Sequence, residues 1–122
     1  MNISDIIWAL GIPTTYHGHN ALKICIQLCY EDEDRLLLVT KRLYPEVAEI
    51  LHTTPQCVER NLRTVVQYCW THGNRRLLSQ MAHYPIMHQP TNSEFISIIC
   101  GYLKRVEKRE REERSASRHS LL

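Results

Sequence analysis

The sequence predicts an all-α fold, a compact bundle of about six to seven helices containing a helix-turn-helix. Three observations predict it. Apolar residues recur at three- and four-residue spacing, and no segment alternates as a half-buried strand would. Helix-start residues (Ser4, Thr40, Thr54 before Pro55, Asn74, Thr91) divide the chain at short intervals. A length of 122 residues fits one domain, and a hydrophobic content of 43% suffices for one modest core.

Ser4 is expected to cap a short helix with Ile6, Ile7 and Leu10 on its apolar face and Gly11 as its stop. Ile12 to Thr15 reads as extended, because Pro13 biases the residue before it away from helix. A loop around His17, Gly18 and His19 leads into a helix from about Asn20 to Tyr30, with Leu22, Ile26, Cys29 and Tyr30 as its stripe and Cys25 beside it. The acidic run Glu31 to Asp34 precedes a helix over Arg35 to Val39, where carboxylates favour the positive end of the dipole.

The next two helices organise the chain. The first is expected over Lys41 to Leu51, capped by Thr40, with Val47, Ala48 and Leu51 inward and Pro45 harmless near its first turn. His52-Thr53 is the turn, and His tolerates the positive φ that such turns want. Thr54 is the N-cap of the second helix and Pro55 its first residue. Val58, Leu62, Val65, Cys69 and Trp70 form its apolar stripe, and Gly73 ends it. The opposite face carries Gln56, Glu59, Arg60, Arg63, Thr64 and Gln67. Arg can bond guanine bidentately, Gln adenine, and Glu can accept from cytosine, so this face is suited to a DNA groove. A helix pair of this kind is also common as plain core, and pattern alone does not separate the two readings.

Asn74 is expected to cap a helix from Arg75 to about His83 with Leu77, Leu78 and Met81 inward. A loop over Tyr84 to Pro90 follows. Thr91 and Glu94 then form a capping box ahead of a helix that packs through Phe95, Ile98, Ile99, Tyr102, Leu103 and Val106. The expected division is a domain over residues 1–106 and a charged, partly disordered tail over 107–122, with order ending near Arg114.

Several chemistries are disfavoured. His17, His19, Cys25 and Cys29 lack the paired spacings of zinc sites, and both cysteines fall on or near an apolar face, so no metal is expected. The acidic run lacks the spacing and glycine of a calcium loop. Cys57 sits near a helix N-terminus, where thiols are activated, but no His or acid is paired with it by sequence. With four glycines in all, there is no phosphate cradle and no nucleophile elbow. No enzyme and no cofactor are expected. The five cysteines, odd in number, read as reduced and mostly buried thiols of a cytoplasmic protein. No stretch is apolar enough to span a membrane, and a net charge of +2 does not by itself announce nucleic acid.

The stretches TKRLYPEVAEILHTTPQCVERNLRTVVQYCWTHGN and PTNSEFI resemble the C-terminal effector domain of the master response regulator of endospore formation, the stage zero sporulation protein A family. The opening ISDIIWALGIPTTYHGHNALKICIQLCYED fits the same family, so the resemblance spans about Ile3 to Leu103. It implies a helical domain that binds double-stranded DNA in the major groove and regulates transcription in a spore-forming bacterium or a relative. Carried onto this chain, it keeps Glu59, Arg60 and Arg63 for the bases, Thr53 and Thr54 at the start of the recognition helix, and Lys41 and Tyr44 before it. Together with the face read above, the base-reading set is Gln56, Cys57, Glu59, Arg60, Arg63 and Thr64. The phosphate-contacting set is Lys41, Arg42, Thr53, Thr54, Arg75 and Arg76.

The chain also departs from the family. Cys57 stands where the family has Arg, Thr64 where it has His, and a basic run before PTNSEFI is shortened to His88-Gln89. Losing one base-reading Arg costs about 1–3 kcal/mol at that contact, so related or relaxed specificity and weaker affinity are expected. The family's phosphorylatable receiver domain does not precede the domain here, which leaves open a stand-alone homologue or a piece of a longer chain. Binding as a dimer or in tandem, and contact with RNA polymerase or a full-length regulator, are compatible partners. The alternative is an interaction module or competitor that keeps the fold with weakened operator recognition.

Overall fold

The computed structural model describes residues 2–120. Its first helix, α1 (Ile3–Ala9), opens on Asn2, whose side-chain oxygen accepts from the Ser4 N–H at 2.8 Å. Ser4 therefore lies inside the helix and is not its cap. Asn2 holds the extended backbone that an N-cap requires. Gly11 takes φ +85 just past the end of α1, a conformation that glycine adopts without strain.

The second helix, α2 (Gly18–Glu31), begins earlier than the spacing predicts. Packing explains the difference. A Cβ at Gly18 would lie 2.2 Å from Val65 Cγ2 and 2.4 Å from the Asn61 carbonyl oxygen, so only glycine lets α2 meet the later helix this closely. The helix expected over Arg35 to Val39 is replaced by a 3₁₀ turn at Glu33–Leu36 and a π-turn at Val39–Leu43. Asp32 starts the first by accepting from the Asp34 N–H at 3.0 Å, and the Leu43 N–H reaches Leu38 O at 3.2 Å in the second. Ion pairs and a side-chain bond accompany this irregular path. Arg35 Nε bonds Glu46 at 2.7 Å, Arg35 Nη1 donates to Leu28 O at 2.6 Å, and Arg42 Nη2 bonds Asp32 at 2.8 Å. Thr40 consequently caps nothing. The third helix, α3 (Tyr44–Leu51), is entered from backbone that is already helical at Leu43 and has no side-chain cap.

Three helices complete the chain: α4 (Pro55–His72), α5 (Arg75–Ala82) and α6 (Asn92–Ser120). Gly73 ends α4 in extended backbone, and its role is space: a Cβ there would come 2.4 Å from Leu10 O. The Asn74 N–H donates to that same carbonyl at 2.9 Å, which ties the end of α1 to the end of α4. Asn74 also caps α5 by accepting from the Leu77 N–H at 2.9 Å, as expected. The Thr91–Glu94 capping box forms in both directions, with Glu94 N to Thr91 Oγ1 at 3.2 Å and Thr91 N to Glu94 Oε1 at 3.4 Å.

The fold is an all-α bundle with α2 at its centre, packed against α1, α3, α4 and α6. Ala21, Leu22, Cys25, Ile26 and Cys29 of α2 are fully buried, and Phe95 anchors α6 in the same core. On α4 the buried stripe is Val58, Leu62, Val65, Val66 and Cys69. Val66 takes the place expected for Trp70, which is only partly buried, with the Arg75 guanidinium 4.5 Å above its ring. α6 runs unbroken through Val106 and on to Ser120, 29 residues or roughly 44 Å of helix. Opposite charges four apart, as in Glu107 with Arg111 and Glu110 with Arg114, favour this continuation.

Four of the five thiols are core residues. Burial pushes Cys29 and Cys69 from the ordinary 9.0 up to about 11 and Cys100 up to about 12, and drives Cys25 further still. These groups stay neutral thiols at working pH, while Cys57 is partly exposed. A small alkylating reagent at about pH 8 should label Cys57 alone in the native protein and all five cysteines in denaturant, as read by intact mass. Rapid labelling of a second thiol in the native state would contradict this packing.

Candidate nucleic-acid interface

The chain reverses direction between α3 and α4 at His52, which takes φ 55, and the Thr53 N–H donates back to Ala48 O at 2.9 Å. Thr54 is extended, and its Oγ1 accepts from the Cys57 N–H at 3.1 Å. Pro55 follows at N1, where its missing N–H and fixed φ cost nothing. Local sequence thus starts α4, and the buried stripe then orients it. With that stripe in the core, Gln56, Arg60, Arg63, Thr64 and Gln67 are exposed, and Cys57 and Glu59 are partly exposed. At 3.6 residues per turn these positions span an arc of roughly 160°. All six residues expected to read bases therefore share one outward face.

Their side chains are not equally available. Arg63 Nη2 forms an ion pair with Glu59 Oε1 one turn earlier, which orients both groups on the surface. Thr64 Oγ1 donates to the Arg60 carbonyl at 3.0 Å, so its hydroxyl is turned onto its own helix. Cys57 Sγ accepts from Asn61 Nδ2 at 3.6 Å. Gln56 and Arg60 stand exposed to solvent.

One flank of this face is an open groove of about 400 Å³ between α4 and the segment that precedes α6, lined by Thr40, Tyr44, Glu59, Arg63, Gln89 and Thr91 among others. Asn92 is part of its lining. Asn92 Nδ2 donates to the Tyr44 hydroxyl at 3.2 Å and to the Glu59 carbonyl at 3.1 Å. Burial raises the pKa of the Tyr44 phenol above its usual range, with the bond from Asn92 acting the other way, so the group is a neutral acceptor. The PTNSEFI pattern predicts the Thr91–Glu94 cap but not the groove wall at Gln89 to Ser93, the part played by Thr40 or the reach of Asn92. The available signal was the polar Asn and Ser beside the cap.

The residues expected to contact phosphate fall into separate groups. Thr53 and Thr54 are exposed at the start of α4, and the exposed Lys41 follows Thr40 of the groove. Arg42, part-exposed, is bonded to Asp32 at 2.8 Å with Glu46 at 4.0 Å. Arg75 and the exposed Arg76 start α5, beyond the far end of the 18-residue α4. That places them about 27 Å from the Thr53–Thr54 end.

A helical bundle that turns one polar, arginine-bearing helix face outward beside a short turn has an arrangement that DNA-binding domains of transcription regulators use. The chain belongs to the family described as Sporulation initiation factor Spo0A C terminal, whose model matches residues 3–103. That membership makes it a DNA-binding effector domain of a sporulation regulator, a regulatory rather than an enzymatic family. The match ends within α6, and residues 104–120 of that helix lie beyond it. Among the described residues, no helix is long and apolar enough to cross a membrane.

Proposed function

We propose that α3, the turn and α4 act as a helix-turn-helix, and that the chain is a sequence-specific transcription regulator. The observation that carries this is the single outward face of α4. Glu59, Arg60 and Arg63 lie within two turns of each other there, the density of bidentate donors and acceptors that base reading in a major groove requires. Gln56, Cys57 and Thr64 complete the base-facing set. Lys41, Thr53 and Thr54, all exposed, would hold phosphate at the near end, where the positive end of the helix dipole assists. Arg75 and Arg76 have the charge for a phosphate contact at the far end, and Arg42 would reach one by leaving its surface pair with Asp32.

A second reading is favoured by one specific observation. The positions that depart from the family contribute little outward chemistry, since the Thr64 hydroxyl is bonded to its own helix and Cys57 is only partly exposed. A domain of this kind could keep the fold and act as an interaction module or competitor.

Fluorescence anisotropy with the purified chain separates the two. The probes are a duplex enriched by the chain from a random-sequence pool and a scrambled duplex, each at two salt concentrations. A regulator should prefer the enriched duplex, and the preference should survive added salt, because base contacts are less salt-dependent than phosphate contacts. Failure to enrich any sequence, or equal and salt-sensitive binding to both duplexes, would favour the interaction module.

A further inference from the structure

We propose that Asn92 is a positioning residue for base recognition: by joining the Glu59 carbonyl to the Tyr44 hydroxyl it sets how the first turns of α4 stand out from the bundle. It thereby governs sequence discrimination more than overall affinity. This rests on the reading of α4 as the base-reading helix.

The two bonds have different anchors. Tyr44 is a core residue, 7% exposed, so its hydroxyl is a fixed point. Glu59 belongs to the turn whose side chain pairs with Arg63, so its carbonyl moves with the recognition face. Asn92 itself has a rigid frame. The Thr91–Glu94 capping box holds its backbone from one side, and fully buried Phe95 and Ile96 hold it from the other. Its amide has two N–H donors, and these two contacts use both.

Neither bond is needed for secondary structure. A helix carbonyl has a second lone pair beyond the one used along the helix, and the Asn92 donor occupies it at Glu59. Removing the donor leaves no backbone group unpaired, so the fold should tolerate the loss. Orientation is another matter. Val58 and Leu62 hold the opposite face of these turns in the core, while this flank is a groove, so the Asn92 amide supplies the directional restraint on this side. Bidentate base contacts demand placement within about 0.5 Å. Phosphate contacts made by flexible side chains do not.

The test uses the full chain as Asn92→Ala, Tyr44→Phe, the double variant and a core control, Ile99→Val, which lowers stability without touching the bonds. Each is titrated against the enriched and scrambled duplexes at several salt concentrations, and each melting temperature is recorded. The two single variants should each lower the enriched-to-scrambled affinity ratio about ten-fold or more. Their binding to scrambled duplex and their salt slope should stay as in the wild type. The double variant should lose little beyond either single one, because both act through the same bridge. Ile99→Val should keep the wild-type ratio. A ratio preserved within two-fold in Asn92→Ala overturns the proposal. So does a parallel loss on both duplexes that tracks melting temperature as it does for Ile99→Val. A wild type that does not itself discriminate between the duplexes removes the base-reading role of α4, and this proposal with it. Discrimination kept by both wild type and variants removes this proposal alone.

Discussion

Replacing Arg60 and Arg63 together by alanine should abolish sequence-selective DNA binding while leaving the fold intact. Both side chains are exposed, so the core loses nothing. The surface pair of Arg63 with Glu59 is worth only about 0.3–0.5 kcal/mol as an i,i+4 contact. Alanine is also the better helix former. Against this small stability effect stands the loss of two base contacts at about 1–3 kcal/mol each. Together that is about 2–6 kcal/mol, or roughly 30-fold to 10⁴-fold in affinity for the selected duplex. The change also removes two cations from a chain whose net charge is +2, leaving zero, so binding to scrambled DNA should weaken as well. Circular dichroism and anisotropy on the same sample check both halves. Selective binding that survives the double change would show that α4 does not read bases.

Phe95→Ala should be the most destabilising single truncation. Phe95 is the chain's one phenylalanine, fully buried at the start of α6 and among the largest buried side chains. Truncating a buried Phe costs about 3–5 kcal/mol through lost transfer energy and the cavity left behind. For a domain of this size that corresponds to roughly 10–20 °C in melting temperature. Total stabilities of about 5–15 kcal/mol leave little margin, so the variant should be partly unfolded near 37 °C. A fall of only a few degrees in a thermal melt would mean that neighbouring side chains collapse into the space.

Phe95 belongs to a motif whose parts act in different ways. Within PTNSEFI, Thr91 and Glu94 cap α6, Phe95 fills the core, and Asn92 reaches α3 and α4. The capping pair is legible in the sequence because its partners lie three residues apart. The Asn92 bonds span 48 and 33 residues and leave no local trace.

The same division runs through the chain. Local sequence settles the start of α4 (an extended Thr54 cap, then Pro55), the left-handed turn at His52, the Asn74 cap and most of the buried stripe. It also placed Gln56, Glu59, Arg60, Arg63 and Thr64 together on the opposite face. Each of these is settled within one or two turns, where backbone preference and side-chain periodicity act without help from the rest of the fold. Tertiary structure decided the path from Asp32 to Leu43, where Arg35 and Arg42 find Glu46 and Asp32 and the expected helix does not form. It decided that Gly18 must be glycine, because Val65 and Asn61 press against it, and that Thr40 borders a groove instead of capping a helix. Ion pairs and close approaches between distant residues gain their energy only once the bundle has closed, so local sequence preference does not reveal them.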